Sequence, residues 1–249
     1  TPENRERFFA EHARRPLNDA EKVRVLKLLE LQRHALLMYT SCGWFFDEIS
    51  GIETVQVIQY AARVLQLAAE LFGRDFEPPF LDRLEHAKSN IPENGDGRSI
   101  YHRFVKPAMI DWEKAVAHYA ISSLFQEHEI GPRVFSFIFE DERRDVFSAG
   151  KTRLAVGRTR VISEITTESQ LLSYSILYMG EHNLVGGVGS FPDQAAYDAM
   201  FHEVKAAYDV ADFPAIIRLI DRHFGHSSYS LKSLFKDEQR RILNEILAS

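Results

Sequence analysis

The order of periodicities along the chain constrains the fold more than any other feature. Helix-type spacing fills the first half, strand-type runs follow Gly131-Pro132, and helix-type spacing returns after Pro192. Helices segregated from strands in this way predict an α+β fold; a barrel or a parallel sheet would need regular strand–helix alternation. Asn18-Asp19-Ala20-Glu21 reads as a capping box, followed at helical spacing by Val25, Leu28, Leu29, Leu36 and Tyr39, with Gln32 the polar member of that face. Ser50-Gly51-Ile52-Glu53 offers a second start, with Val55, Ile58, Ala61, Ala62, Leu65, Ala68 and Ala69 on one face and Gly73 as the stop. A short helix is expected after Pro78-Pro79, a turn-rich loop over residues 91–97, and a helix through Trp112, Ala115, Val116, Tyr119, Ala120 and Leu124.

Strand-like runs then cover Val134, Phe135, Phe137, Ile138 and Phe139, then 146–148, 152–165 and 171–179. Short links favour antiparallel hairpins, and the alternation over 153–162 suggests a sheet with one wet face. Pro192-Asp193, Phe213-Pro214 and Ser230 open the closing helices, the last over 230–247. The expectation is one domain over 1–249: an N-terminal helical bundle over 1–130, a central antiparallel β-sheet over 131–191 and closing helices over 192–249.

Composition narrows the function. With 45% hydrophobic residues, the chain can build a core without staples, consistent with its single cysteine, Cys42. One cysteine makes no internal disulfide, which points to the cytoplasm. A formal net charge of −6 argues against a nucleic-acid partner, and Arg14-Arg15-Pro16 and Gln239-Arg240-Arg241 read as solvated helix ends. No apolar run approaches the roughly 20 residues of a membrane helix, so no membrane partner is expected. No signal peptide opens the chain, and its start on Thr1 suggests a processed or excised piece.

One segment does not read as packing alone. The connection between the two best-defined helices carries Trp44, Phe45 and Phe46, followed at once by Asp47 and Glu48, between Gly43 and Gly51. Helix–helix connections are usually short and polar. Flat rings beside carboxylates suit a sugar: the rings cover the apolar C–H face of a pyranose and the carboxylates accept from its hydroxyls. The other reading is a plug of aromatics at the end of the bundle, with the carboxylates in solvent.

The run ALLMYTSCGWFFDEISGIETVQVIQYAARVLQLA (35–68) resembles the hallmark of the bacterial family numbered 3536 among domains of unknown function. Tyr178-Met-Gly-Glu-His-Asn-Leu-Val-Gly-Gly-Val188 and Tyr229-Ser-Leu-Lys-Ser-Leu-Phe-Lys-Asp-Glu-Gln-Arg-Arg-Ile242 resemble the same family, so the resemblance spans nearly the whole chain. That family is typically found C-terminal to the seven-stranded, polysaccharide-deacetylase-like catalytic barrel of glycoside hydrolase family 57. Family 57 enzymes cleave or transfer α-glucans with retention, and a Ser-Asp-Trp-aromatic motif of their helical region sits at the edge of the active site. Ser41, Trp44 and Phe45 are similar to that motif, but Gly43 stands where its aspartate is expected, unless Asp47 is the displaced equivalent.

The resemblance implies a non-catalytic accessory domain that packs on an upstream barrel of the same polypeptide. It would lend Ser41, Trp44, Phe45, Phe46, Asp47 and Glu48 to an oligo- or polysaccharide groove, and an isolated copy would cover the same face by self-association. Retention needs two carboxyl groups about 5 to 5.5 Å apart. Asp47 and Glu48 are adjacent and tend to point apart, so no catalytic residue, cofactor or metal is expected here. The alternatives are a purely structural or oligomerisation domain, or an independent enzyme using Asp47, Glu48 and His182.

Other candidates are secondary. His34 precedes the aromatic loop by about two helical turns and could line the same mouth, or be a satisfied structural histidine. His182 and Asn183 mark a hairpin tip before Gly186-Gly187, which reads as a flexible stretch; a turn in which Asn183 bonds its own backbone is preferred over a ligand site. Gly186-Gly187-Val188-Gly189 lacks the surroundings of a nucleotide fingerprint. His223, His226, Ser227 and Ser228 lack a nucleophile elbow, and Gly225 is expected to end the helix before His223 and His226 can pair on a metal.

Overall fold

Residues 1–125, 133–225 and 229–248 are described by a computed structural model. They form an α+β fold and divide into two compact units: Thr1–Met109 with Ile165–Thr167, and Ile110–Glu164 with Glu168–Ser249.

The first unit is helical. Helix α1 (Pro2–His12) is capped by the Thr1 side chain, and α2 (Asp19–Leu37) opens on the expected capping box, Asn18 and Glu21 each accepting from the other's backbone amide. A single turn, α3 (Cys42–Phe45), precedes α4 (Ile52–Phe72), which buries Ile58, Ala61, Ala62, Leu67 and Ala68 and stops at Gly73 in the left-handed region. The cap of α4 is Gly51; Ser50 is one residue too early, so the second capping box does not form. The prolines sit inside the first turn of α5 (Glu77–Leu84), where their missing amide hydrogens are not needed.

The turn-rich segment holds a 3-10 turn, Pro92–Asn94. It leads into α6 (Gly97–Ile100), a π turn over Tyr101–Val105 and a 3-10 turn over Lys106–Ala108. Ile100, Tyr101 and Val105 close a core with Ile58, Ala62 and Leu81, a packing that helical periodicity did not reveal.

The expected apolar face of α2 is not a core face. Leu28, Leu29, Leu36 and Tyr39 are exposed, the last at 84%. Toward α4 the helix presents polar groups instead: Lys27 pairs with Glu70 at 2.9 Å, and the ring of His34 lies 5.7 Å from that of Tyr60.

The second unit is a five-stranded antiparallel meander: β1 (Arg133–Val134), β2 (Phe137–Ala149), β3 (Thr152–Ser163), β4 (Ser169–Tyr178) and β5 (Leu184–Gly189), paired in that order. The Gly131-Pro132 boundary itself lies outside the described residues. The aromatic run is split by a turn in which Phe135 takes a positive φ of 53°. β2 runs unbroken through the charged stretch Glu140 to Asp145, with a bulge between Asp141 and Arg143.

The sheet has no wholly wet face in its centre. Leu154 and Val156 of β3 pack with α8 (Gln194–Asp209) and α9 (Phe213–Phe224), whereas Ala155 and Val161 pack with α7 (Trp112–Ser122) and Ile242 of α10 (Lys236–Ala248). The alternation of polar residues misled because Arg158 and Arg160 pair with Glu142 near the sheet edge. Asp193 and Asp212 cap α8 and α9, whereas Ser230 caps only a 3-10 turn, and α10 begins at Lys236. Gly186 and Gly187 are strand residues, not a flexible stretch; a Cβ on Gly187 would lie 2.6 Å from the Phe224 ring. No helix among the described residues is long and apolar enough to cross a membrane.

Candidate aromatic site

The aromatic loop projects from the end of the α2–α4 pair. Trp44 is 73% exposed and Phe45 72%, with Phe46 and Asp47 also open and Ile49 partly covered. The loop is therefore not a bundle plug. Phe45 and Phe46 meet edge to face at 5.2 Å. Leu36, Tyr39 and Ile52 are exposed on the flanking helix ends, so one end of this unit carries six large apolar side chains in 17 residues of chain, 36 to 52.

Local contacts explain why the rings point outward. The α3 turn is closed by the Ser41 carbonyl, which accepts from the Trp44 and Phe45 amides at 3.2 and 3.0 Å. Gly43 lets that turn lie directly on α4: a Cβ there would fall 2.8 Å from Val57 Cγ2. Thr54 Oγ1 donates to the Gly43 carbonyl at 3.3 Å. The glycine that breaks the Ser-Asp-Trp pattern thus occupies a contact that no larger residue fits without displacing Val57.

The two carboxylates of the loop differ. Asp47 is exposed. Glu48 is half-buried and engaged: Oε1 accepts from the Ser50 amide at 2.7 Å and the Ser89 hydroxyl at 2.6 Å, and Oε2 accepts from the Asn90 amide at 2.7 Å. Hydrogen bonding by Ser50, then Ser89, then the Ser50 and Asn90 amides holds its pKa down at about 2. The Asn90 side chain donates to the Asp47 carbonyl, and Asn94 Nδ2 donates to Ser50 Oγ at 2.9 Å. These partners lie more than 40 residues away in the chain, and no sequence periodicity links them to the loop.

The secondary candidates are placed as follows. His34 Nε2 bonds Glu30 Oε1 at 2.9 Å, and that glutamate, 7% exposed, also takes a bidentate fork from Arg33. Burial lowers the pKa of His34, against the opposing pull of Glu30, and the Arg33 bond lowers that of Glu30. His34 is thereby partnered through Nε2 on α2, whereas its buried Nδ1 has no hydrogen-bond partner among the described residues. His182 and Asn183 belong to the second unit, exposed on the β4–β5 turn, where the Asn183 amide donates to the Gly180 carbonyl at 3.0 Å. His223 Nε2 bonds Glu203 at 2.9 Å, and α9 ends at Gly225; His226, Ser227 and Ser228 lie outside the described residues. Among the described residues no cluster of three His, Cys, Asp or Glu side chains is arranged for a metal ion.

Comparison with known proteins adds one finding. The family model described as "Domain of unknown function (DUF3536)" matches residues 1–235. No curated protein and no solved structure matches the chain.

Proposed function

We propose a function from one premise, that the chain belongs to the DUF3536 family: it is the non-catalytic accessory domain of a glycoside hydrolase family 57-like enzyme. In this reading it packs on the catalytic barrel upstream in the same polypeptide, works in the cytoplasm, and lends its aromatic loop to the α-glucan groove. The outward presentation of Trp44 and Phe45 beside the open Asp47 is the observation that supports it. Ring faces of this kind cover the C–H side of a pyranose, and an unengaged carboxylate accepts from its hydroxyls. Ser41 and Phe46 flank them, and Glu48 contributes by shaping the loop. His182 and Asn183 remain secondary positions.

Catalysis is assigned to the barrel. The isolated chain is expected neither to hydrolyse nor to transfer α-glucan, and robust turnover that disappears in Asp47→Asn would overturn the accessory reading. In the full polypeptide, Trp44→Ala is expected to weaken use of oligosaccharides while leaving the melting temperature nearly unchanged.

The exposed Leu36, Tyr39 and Ile52 favour a second use of the same end, as a surface docked by the barrel or by another copy of this chain. If Trp44→Ala leaves glucan use intact and Leu36→Ser loosens the assembly, docking is the sole role.

A further inference from the structure

We infer that Glu48 is a positioning residue, a clamp that fixes the aromatic loop in its outward conformation by anchoring it to the Ser89–Asn94 turn. Its carboxylate accepts from the amides of Ser50 and Asn90 and the hydroxyl of Ser89, with the Ser50 side chain beside them, and pairs with no cation among the described residues. An ionised carboxylate accepts such bonds about twice as strongly as a neutral oxygen does, and a carboxylate so surrounded keeps its charge across mild pH.

The receiving side is itself braced. The Ser89 amide donates to the Gly95 carbonyl at 3.0 Å, the Ile91 amide to Ser89 Oγ at 3.0 Å, and Arg103 Nη1 to Asn94 Oδ1 at 3.1 Å. Asn94 and Asn90 then reach back to Ser50 and to the Asp47 carbonyl. The loop is thus held at two points. Gly43 seats it on α4, and Glu48 ties its far end to a turn 41 residues further on. Between these points the Trp44 and Phe45 amides are bonded to the Ser41 carbonyl and Phe45 meets Phe46 edge to face, so the rings ride on the α3 turn that the two anchors hold.

The chemistry of the clamp is specific to a carboxylate. A glutamine at 48 keeps one acceptor oxygen but turns an NH₂ toward a group that is itself a donor, so at least one of the three bonds is lost. This deepens the glucan reading and rests on it only for the ligand. Asp47 is left as the one carboxylate of the loop free to meet a hydroxyl.

The test uses the 249-residue chain with Trp112→Phe, so that Trp44 is the sole tryptophan of the two in the sequence. Glu48→Gln and Glu48→Ala are compared with the parent by site-resolved hydrogen exchange and by acrylamide quenching of Trp44. Exchange at the Ser50 and Asn90 amides should rise about tenfold or more, the scale of one lost charge-assisted bond. Trp44 quenching should change with it, and exchange at Ala61, Ala62 and Leu67 of α4 should not. Unaltered exchange at Ser50 and Asn90, or an equal rise throughout α4, overturns the clamp. The same samples are titrated with a malto-oligosaccharide while Trp44 emission is followed. Binding by the parent that weakens in Glu48→Gln supports the positioning role. No binding by the parent sinks the glucan reading and leaves the exchange result to decide the clamp.

Discussion

Acidification should destabilise the second unit through one buried imidazole. His118 of α7 is 5% exposed, its ring 4.3 Å from that of Phe235 and 6.4 Å from that of Phe135. The Phe235 amide donates to its Nδ1 at 3.4 Å, an interaction open only to the neutral ring. Burial lowers its pKa from 6.5 to about 4; the Glu238 carboxylate on α10 pulls the other way and is itself bonded by Arg241. The unfolded chain therefore takes up a proton at a higher pH than the folded chain does. The stabilisation is complete above pH 6.5 and falls away as the pH drops toward 4, amounting to about 2–3 kcal/mol lost by pH 4.5. Trp112 lies on the same helix, so in a Trp44→Phe background its emission reports the unfolding of this unit. The urea midpoint of this protein, relative to that of its His118→Phe variant, should fall by roughly 1 M as the pH is lowered from 7.5 to 4.5, for an m-value of 2–3 kcal/mol/M. Parallel loss of stability in both proteins would refute the assignment to His118.

Three substitutions test the packing around the site and the sheet. Trp44→Ala should change the stability of the chain by no more than about 0.5 kcal/mol in thermal denaturation, as for other exposed positions; a loss of 3–5 kcal/mol would mean the indole is core. Gly43→Asp, which places an aspartate directly before Trp44, should cost about 1–3 kcal/mol by forcing Val57 off the α3 turn, and Val57→Ala should recover part of it. Gly187→Ala should cost about 1–3 kcal/mol, because its Cβ meets the rigid Phe224 ring rather than a flexible chain end. A gain in stability there, as at an unobstructed glycine, would overturn that reading.

The order of elements was legible because each signal is local. The Asn18–Glu21 box, the Gly73 stop and the Asp193 cap all act within a turn of chain. Failures arose where distant partners decide. Ser50 has a cap's composition, yet its hydroxyl accepts from Asn94 and its amide donates to Glu48, so the helix starts after it. The charged stretch of β2 hides a strand because Glu142 pairs with Arg158 and Arg160 of the neighbouring β3. The glycines of β5 suggest looseness, yet Phe224 fills the space one of them leaves.

The same limit governs the candidate site. Composition brought Trp44, Phe45, Asp47 and Glu48 together as one sugar-facing set, but it could not divide the carboxylates. Only the fold brings Ser89 and Asn90 to Glu48 and leaves Asp47 open. Periodicity on α2 likewise showed that Leu29 and Leu36 share a face, not what that face meets. Its neighbour α4 is engaged through Lys27–Glu70 and the ring of His34 against Tyr60, with His34 held by Glu30 of its own helix, which frees the leucine stripe from the core. A polar seam between two helices is costly unless its charges are paired, and here Lys27 and Glu30 both find partners. Meeting α4 through paired charges leaves the apolar stripe unspent on the unit's own core. Together with the rings of the adjoining loop, it leaves large apolar side chains exposed on the first unit.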